Sequence, residues 1–180
     1  MIGHHAGPFE ISLPASKTNE PVSGTVSVQE LSHPASKRVR KLLLTGQRLL
    51  HDQQLDAAAE RFREAIKEDA YNTEAHAGLG QIFANKSDWS AAAEEYRAAV
   101  LLSPNNYLLH SNLGAALVFT NHIDEAETET SKALKLNPGF DKAHYVMAAV
   151  LERRGRMSDA VQQLKMAQDT VPSAKKALGF

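Results

Sequence analysis

Three histidines, His76, His110 and His144, recur at one constant interval and come nearest in this chain to a chemical motif. Imidazoles bind zinc, but a zinc site needs its ligands converging within ~2 Å of one ion. These three stand a full period apart, so the column reads as structural and no metal is expected. The adjacent pair His4 and His5 falls in a Pro- and Gly-containing stretch and defines no site. Gly78-Leu79-Gly80-Gln81-Ile82-Phe83 opens like a dinucleotide fingerprint, but Phe83 stands where the third glycine belongs and no strand pattern precedes it. Asn85-Lys86-Ser87 fits a glycosylation acceptor and is explained more simply as a turn. Asp124, Glu125, Glu127 and Glu129 crowd one helical stretch, where they are expected on the outer, solvated side. No Ser-His-Asp grouping, paired carboxylate or phosphate loop can be assembled. The expectation is therefore a protein that is not an enzyme, with no catalytic residue and no cofactor.

The bulk properties point the same way. Of 180 residues, 43% are hydrophobic and 23% charged, which suits one soluble domain with a tail. Twenty Lys and Arg stand against 21 Asp and Glu, so no net field draws the chain to nucleic acid or an anionic membrane. The strongest basic cluster, Lys37-Arg38-Val39-Arg40-Lys41, lacks interleaved aromatics, and no nucleic-acid partner is expected. It sits at a helix start, where cations oppose the dipole by ~0.3–1 kcal/mol. There is no cysteine, which removes disulfides, thiolate metal sites and a thiol nucleophile. No stretch approaches the ~20 apolar residues that span a bilayer, and Met1 to Pro8 lack the basic and apolar segments of a secretory signal. No membrane insertion is expected. The cytoplasm is the default location, with the periplasm or secretion the alternative should the true start lie upstream.

The elements are set by the period. Sliding the chain against itself by the histidine interval aligns Gly46, Gly80, Gly114 and Ala148, then Ala58, Ala92, Ala126 and Ala160, then Ala65, Ala99, Ala133 and Ala167. Large columns run between the small ones: Leu49, Phe83, Leu117 and Leu151; Leu55, Trp89, Ile123 and Met157; Phe62, Tyr96, Thr130 and Leu164. Spacings of three, four and seven within each unit are those of amphipathic helices, two per unit. Polar turns at 51–54, 85–88, 121–122 and 154–156 separate the paired helices. Pro104, Pro138 and Pro172 are expected to close their units, because proline disfavours helix in the residue before it, while repeat one has Ala70 there.

This pattern resembles the tetratricopeptide repeat family over about three quarters of the chain. Ala75-His76-Ala77-Gly78-Leu79-Gly80, followed by Phe83, Trp89, Ala92, Tyr96, Ala99 and Pro104, carries the likeness. Thr45 in place of Leu, Ala148 of Gly, Thr130 of an aromatic and Ala70 of Pro depart from it. The resemblance implies an all-α fold, a right-handed α-solenoid of four helix-turn-helix repeats at 39–72, 73–106, 107–140 and 141–173. The solenoid spans 37–172, with an irregular tail at 1–36 and a short one at 174–180. It also implies that the histidine column fills a position often held by a large ring between paired helices.

The same resemblance implies a function: a non-catalytic scaffold for protein-protein interaction, binding a peptide or partner protein in its concave groove. The alternative is a regulatory or targeting module of a larger enzyme or envelope-assembly complex. First helices line the groove in the family, which carries over to Arg40, Leu43, Gln47, Leu50 and His51; Glu74, Ala77, Gln81, Ala84 and Asn85; Leu108, Ser111, Ala115, Val118 and Phe119; and Lys142, Tyr145, Ala149, Glu152 and Arg153. Leu108, Val118 and Phe119 would offer an apolar stripe, with Lys142, Tyr145 and Arg153 beside it to meet an acidic group; the alternative is that neighbouring helices or the chain's own tail partly bury them. Some family members clamp a chaperone's terminal carboxylate with Lys and Asn, but Leu43, Gln47, Ala77, Gln81 and Ser111 stand in those places, so no chaperone-tail adaptor is expected.

The ends follow other rules. Phe9–Leu13 and Val22–Val28 alternate in the strand manner; the expectation is that they are disordered, pair with something absent from this chain, or lie along the solenoid's surface, and the alternation also suggests a remnant of an upstream β domain. After Pro172 too few residues remain for a full capping helix. Leu164, Met166, Leu178 and Phe180 are thus expected to be partly exposed, favouring self-association through the C-terminal end.

Overall fold

The computed structural model describes the backbone of residues 36–177 and the side chains of residues 36–167. The strand-like segments of the N-terminal tail, together with Leu178 and Phe180, lie outside the described residues. Among the described residues eight helices follow one another: α1 Lys37–His51, α2 Leu55–Glu68, α3 Thr73–Asn85, α4 Trp89–Leu102, α5 Tyr107–Phe119, α6 Ile123–Leu136, α7 Asp141–Arg153 and α8 Met157–Ala177. Among the described residues there is no strand. Each odd helix packs against the next even one as a hairpin, and each hairpin packs on the following first helix through the α2–α3, α4–α5 and α6–α7 contacts. Contact is thus made only with near neighbours, which defines a solenoid.

Helix boundaries follow from local chemistry. Ser36, Asn72, Asp88 and Asn106 each accept a backbone N–H of the first turn through a side-chain oxygen, satisfying groups a helix start leaves open. At the hairpin turns Gln53, Ser87, Asn121 and Gly155, again one period apart, adopt φ of 60°, 61°, 63° and 73°. Their left-handed backbone ends the first helix of each repeat, a conformation easiest for glycine and, next to it, asparagine. Helix α8 departs from expectation, running through Pro172 to Ala177. A proline costs a helix one hydrogen bond and a bend. It ends the chain's helical path where turn formers follow, as in Pro104-Asn105-Asn106 and Pro138-Gly139, whereas Ser173-Ala174-Lys175-Lys176-Ala177 offers mostly good helix formers.

Small columns pair with large ones. The Phe62 ring lies so close to α1 and α3 that a Cβ on Gly46 would come 3.0 Å from its Cζ, and one on Gly78 2.5 Å. Phe62 therefore pins repeat one to repeat two while only 1% exposed. Burying such a ring contributes ~1.5–3 kcal/mol. Tyr96 repeats the arrangement against Gly80, and burial pushes its phenol up to about 12. In repeat three Thr130 takes the ring's place, buried, its hydroxyl donating to the Ala126 carbonyl at 2.7 Å.

Candidate functional site

A cavity of about 510 Å³ opens between α3, α4, α5 and the start of α7. Its apolar wall is aromatic. Trp89, at the first position of α4, stacks on Phe119, the last residue of α5, with ring centroids 4.0 Å apart and planes inclined by 12°. Phe119 stays 58% exposed despite this stack, and Leu108 beside it is 44% exposed. Phe140, in the turn before α7, closes the far side and meets Tyr107 edge to face at 4.9 Å. Tyr96 and Ala115 form further parts of the lining.

Polar groups converge on the same space. Gln81, Asn85 and Asn112 line it, and Lys142 Nζ donates to Asn112 Oδ1 at 2.6 Å. Lys142 is exposed at the rim, yet its surroundings displace enough water to lower its pKa below the usual lysine value. An ammonium held by a neutral amide suits an incoming anion. The arrangement has the usual make-up of a recognition pocket, mostly apolar with a few placed polar groups.

Seven of the twenty expected groove positions, Gln81, Ala84, Asn85, Leu108, Ala115, Phe119 and Lys142, come together here. The others do not. Leu43, Ser111 and Val118 are buried and line no groove, which corrects their assignment. Leu43 belongs to the core of repeats one and two, and Val118 packs in the core shared with Val146 and Met147. Arg40 lies with Lys37, Lys41, Leu44, Thr45 and Arg48 on a separate face of α1. Gln47 donates to the Glu74 carboxylate across the first repeat junction. Tyr145 lines another hollow, between α7 and α8. Arg153 is exposed at the end of α7. Sequence reasoning assigns Trp89 and Tyr96 to packing alone and passes over Asn112 and Phe140. The signal that could have found Trp89 is its being the one indole in an otherwise aliphatic column of Leu55, Ile123 and Met157.

The histidines are polar clamps. His76 Nδ1 is hydrogen-bonded with the Glu95 carboxylate at 2.7 Å, and Nε2 lies 3.3 Å from the Ala70 carbonyl oxygen. His110 repeats this with Glu129 at 2.6 Å and the Pro104 carbonyl at 2.8 Å, and His144 with the Gln163 amide and the Pro138 carbonyl, both at 2.8 Å. Each ring ties a first helix to its second helix and to the turn before it. Repeat one carries Leu42 and Arg61 in place of His and Glu, so both partners are absent together. Among the described residues no group of His, Asp and Glu is placed to hold a metal ion. The acids of α6 are not simply an outer solvated face: Glu129 is buried against His110, Arg97 pairs with Glu125 at 3.0 Å, and Arg154 pairs with Asp124 at 2.5 Å and Glu127 at 2.7 Å. The Arg97 and Arg154 pairs cross repeat junctions, so they hold the stack in register.

Hairpins stacked in one dimension around an aromatic groove define the class, an α-helical repeat solenoid of the kind that serves protein-protein interaction. The tetratricopeptide repeat profile matches residues 43–107 and 112–175, and the chain belongs to the tetratricopeptide repeat family. No curated protein matches the sequence significantly. Among solved structures it is similar to MamA, with a TM-score of 0.70 and 22% identity over 77% of this chain and 81% of the other. MamA from Desulfovibrio magneticus RS-1 gives 0.70 and 17% over 81% and 82%. The Thermobaculum terrenum O-GlcNAc transferase gives 0.61 and 24%, over 67% of this chain and 23% of the transferase. At these identities the likeness is one of fold. No described helix is long and apolar enough to cross a membrane.

Proposed function

We propose that the protein is a non-catalytic scaffold that docks a peptide segment of a partner protein in the groove between repeats two, three and four. The partner places an aromatic or long aliphatic side chain against Trp89, Phe119 and Leu108, and an acidic group at Lys142. The observation that carries this reading is the Trp89–Phe119 stack: a large apolar surface left open beside an ammonium that donates to a neutral amide. Large exposed aromatics are costly unless they serve recognition.

Selection from a random peptide display library tests it. Retained peptides share an apolar residue with an acidic neighbour, and Phe119→Ala weakens their binding by about tenfold or more, the scale of an aromatic anchor. Lys142→Ala weakens it less, by an amount that shrinks as salt rises. No retained peptides, or peptides that bind both variants as well as the parent, would remove the reading. One observation favours a second reading, in which the array serves as the targeting part of a larger assembly: the transferase neighbour carries such an array within a much longer chain. Affinity purification of the intact protein followed by mass spectrometry distinguishes the two, since the second requires a stoichiometric enzyme partner.

A further inference from the structure

The far end of the stack carries a second surface that the groove does not use. A hollow between α7 and α8 is lined by Tyr145, Ala148, Glu152, Met157, Val161 and Leu164. Moved back by one period these positions are Ser111, Gly114, Val118, Ile123, Glu127 and Thr130, on the two helices against which α7 packs. There Ser111 and Thr130 are fully buried and Val118 is 5% exposed. At the end of the stack Tyr145 and Val161 are 48% exposed, Met157 57% and Leu164 38%. The face is thus the register continuation of the interfaces that hold the repeats together. Among the described residues nothing covers it.

Its chemistry is that of an interface and not of a solvated cap. Where repeat three has Glu127 and Thr130, repeat four has Val161 and Leu164, so apolar surface increases at the position that faces water. Met157, Val161 and Leu164 stand at spacings of four and three and form one stripe along α8.

We propose that this face seats a second copy of the chain, with the two α8 helices antiparallel about a two-fold axis near Val161. Two features select this occupant. The opposite end of the stack cannot fill the role, because α1 presents Lys37, Arg40, Lys41 and Arg48 around Leu44. The corresponding residues in and just before α7 are Gly139, Lys142, Ala143, Val150 and Val146, of which Ala143, Val150 and Val146 are buried while Gly139 and Lys142 are exposed. Head-to-tail stacking would bury Lys41 and Arg48, the cations at the Ala143 and Val150 positions, against Glu152 as the one carboxylate lining the hollow, and buried unpaired charge is strongly unfavourable. Like ends meeting gives closed two-fold symmetry instead. The second feature is charge. Glu152 lies at the α8 N-terminal end beside Met157, while Lys165 lies two turns on, ~12 Å along the helix axis. Neither is ion-paired among the described residues. Antiparallel α8 helices bring Lys165 of each copy to Glu152 of the other, with Val161 midway between 157 and 165.

Sedimentation equilibrium of the full chain from about 1 to about 100 µM, the range a modest interface spans, tests the proposal. The expected result is a reversible monomer–dimer equilibrium with no larger species. Val161→Glu with Leu164→Glu yields a monomer whose helical circular dichroism matches the parent. Glu152→Lys alone weakens the dimer about tenfold or more through facing like charges, and adding Lys165→Glu restores it. A parent chain that stays monomeric, open-ended growth, a dimer indifferent to the Val161 and Leu164 changes, or no rescue by the charge exchange would overturn it. None of these substitutions touches the Trp89–Phe119 groove, so peptide binding there stands or falls separately.

Discussion

At the scale of single residues, His76 makes stability depend on pH. Both ring nitrogens of His76 face acceptors, and its pKa is raised, chiefly by the hydrogen bond to Glu95. A raised folded-state pKa means stabilisation that is complete below the unfolded value of about 6.5 and lost as pH rises through the folded one. The urea midpoint of the parent chain should therefore exceed that of His76→Ala by more at pH ~5.5 than at pH ~8.5. A constant gap, or one that widens on the alkaline side, would contradict the clamp. Ser111 supplies a second check, since its buried hydroxyl has no hydrogen-bond partner among the described residues. Ser111→Ala should raise stability by about 1 kcal/mol, read from thermal melts, by removing an unsatisfied polar group. The period of the histidines is readable from the chain, but their acceptors, one on the following helix and one in the turn before, are not. Those contacts cross a hairpin, and Glu129 looks like one more surface acid until α5 and α6 bury it. The repeat position of Ser111 implies exposure in the groove, which α7 removes by packing on α5.

At the scale of elements, the hairpin turns share one strained device. Gly155 meets nothing within 4 Å of an added Cβ, so its value lies in its positive φ alone. Gly155→Ala should cost about 1 kcal/mol, and Gln53→Gly should contribute up to about the same in the opposite sense, through backbone preference. Equal melting temperatures for both variants and the parent would contradict this reading. Gly78→Ala acts differently, forcing a methyl to within 2.5 Å of the Phe62 ring. Overpacking of this kind typically costs ~1–3 kcal/mol. Helix existence is legible throughout, because small and large columns in fixed register leave few other ways to bury them. The end of α8 is not, since Pro172 signals a stop that the helix formers after it outweigh.

At the scale of the whole molecule, the repeat is what turns local rules into a groove. Each hairpin buries one face on the next, and some of the remaining first-helix positions of repeats two to four open onto the cavity. The all-α architecture is legible because its signal recurs four times. Only part of the candidate site is. Gln81, Asn85, Leu108, Phe119 and Lys142 follow from repeat positions, whereas Trp89 and Phe140 enter from a second helix and a turn, which a rule about first helices omits. Trp89 is the single tryptophan of the chain and forms one wall of that cavity, so its emission reports directly on whether the groove is the docking site. Titration of the protein with a selected apolar-acidic peptide should shift or quench Trp89 fluorescence saturably, with an affinity that Phe119→Ala lowers in parallel. Binding that saturates with Trp89 emission unchanged would place the partner elsewhere and contradict the account.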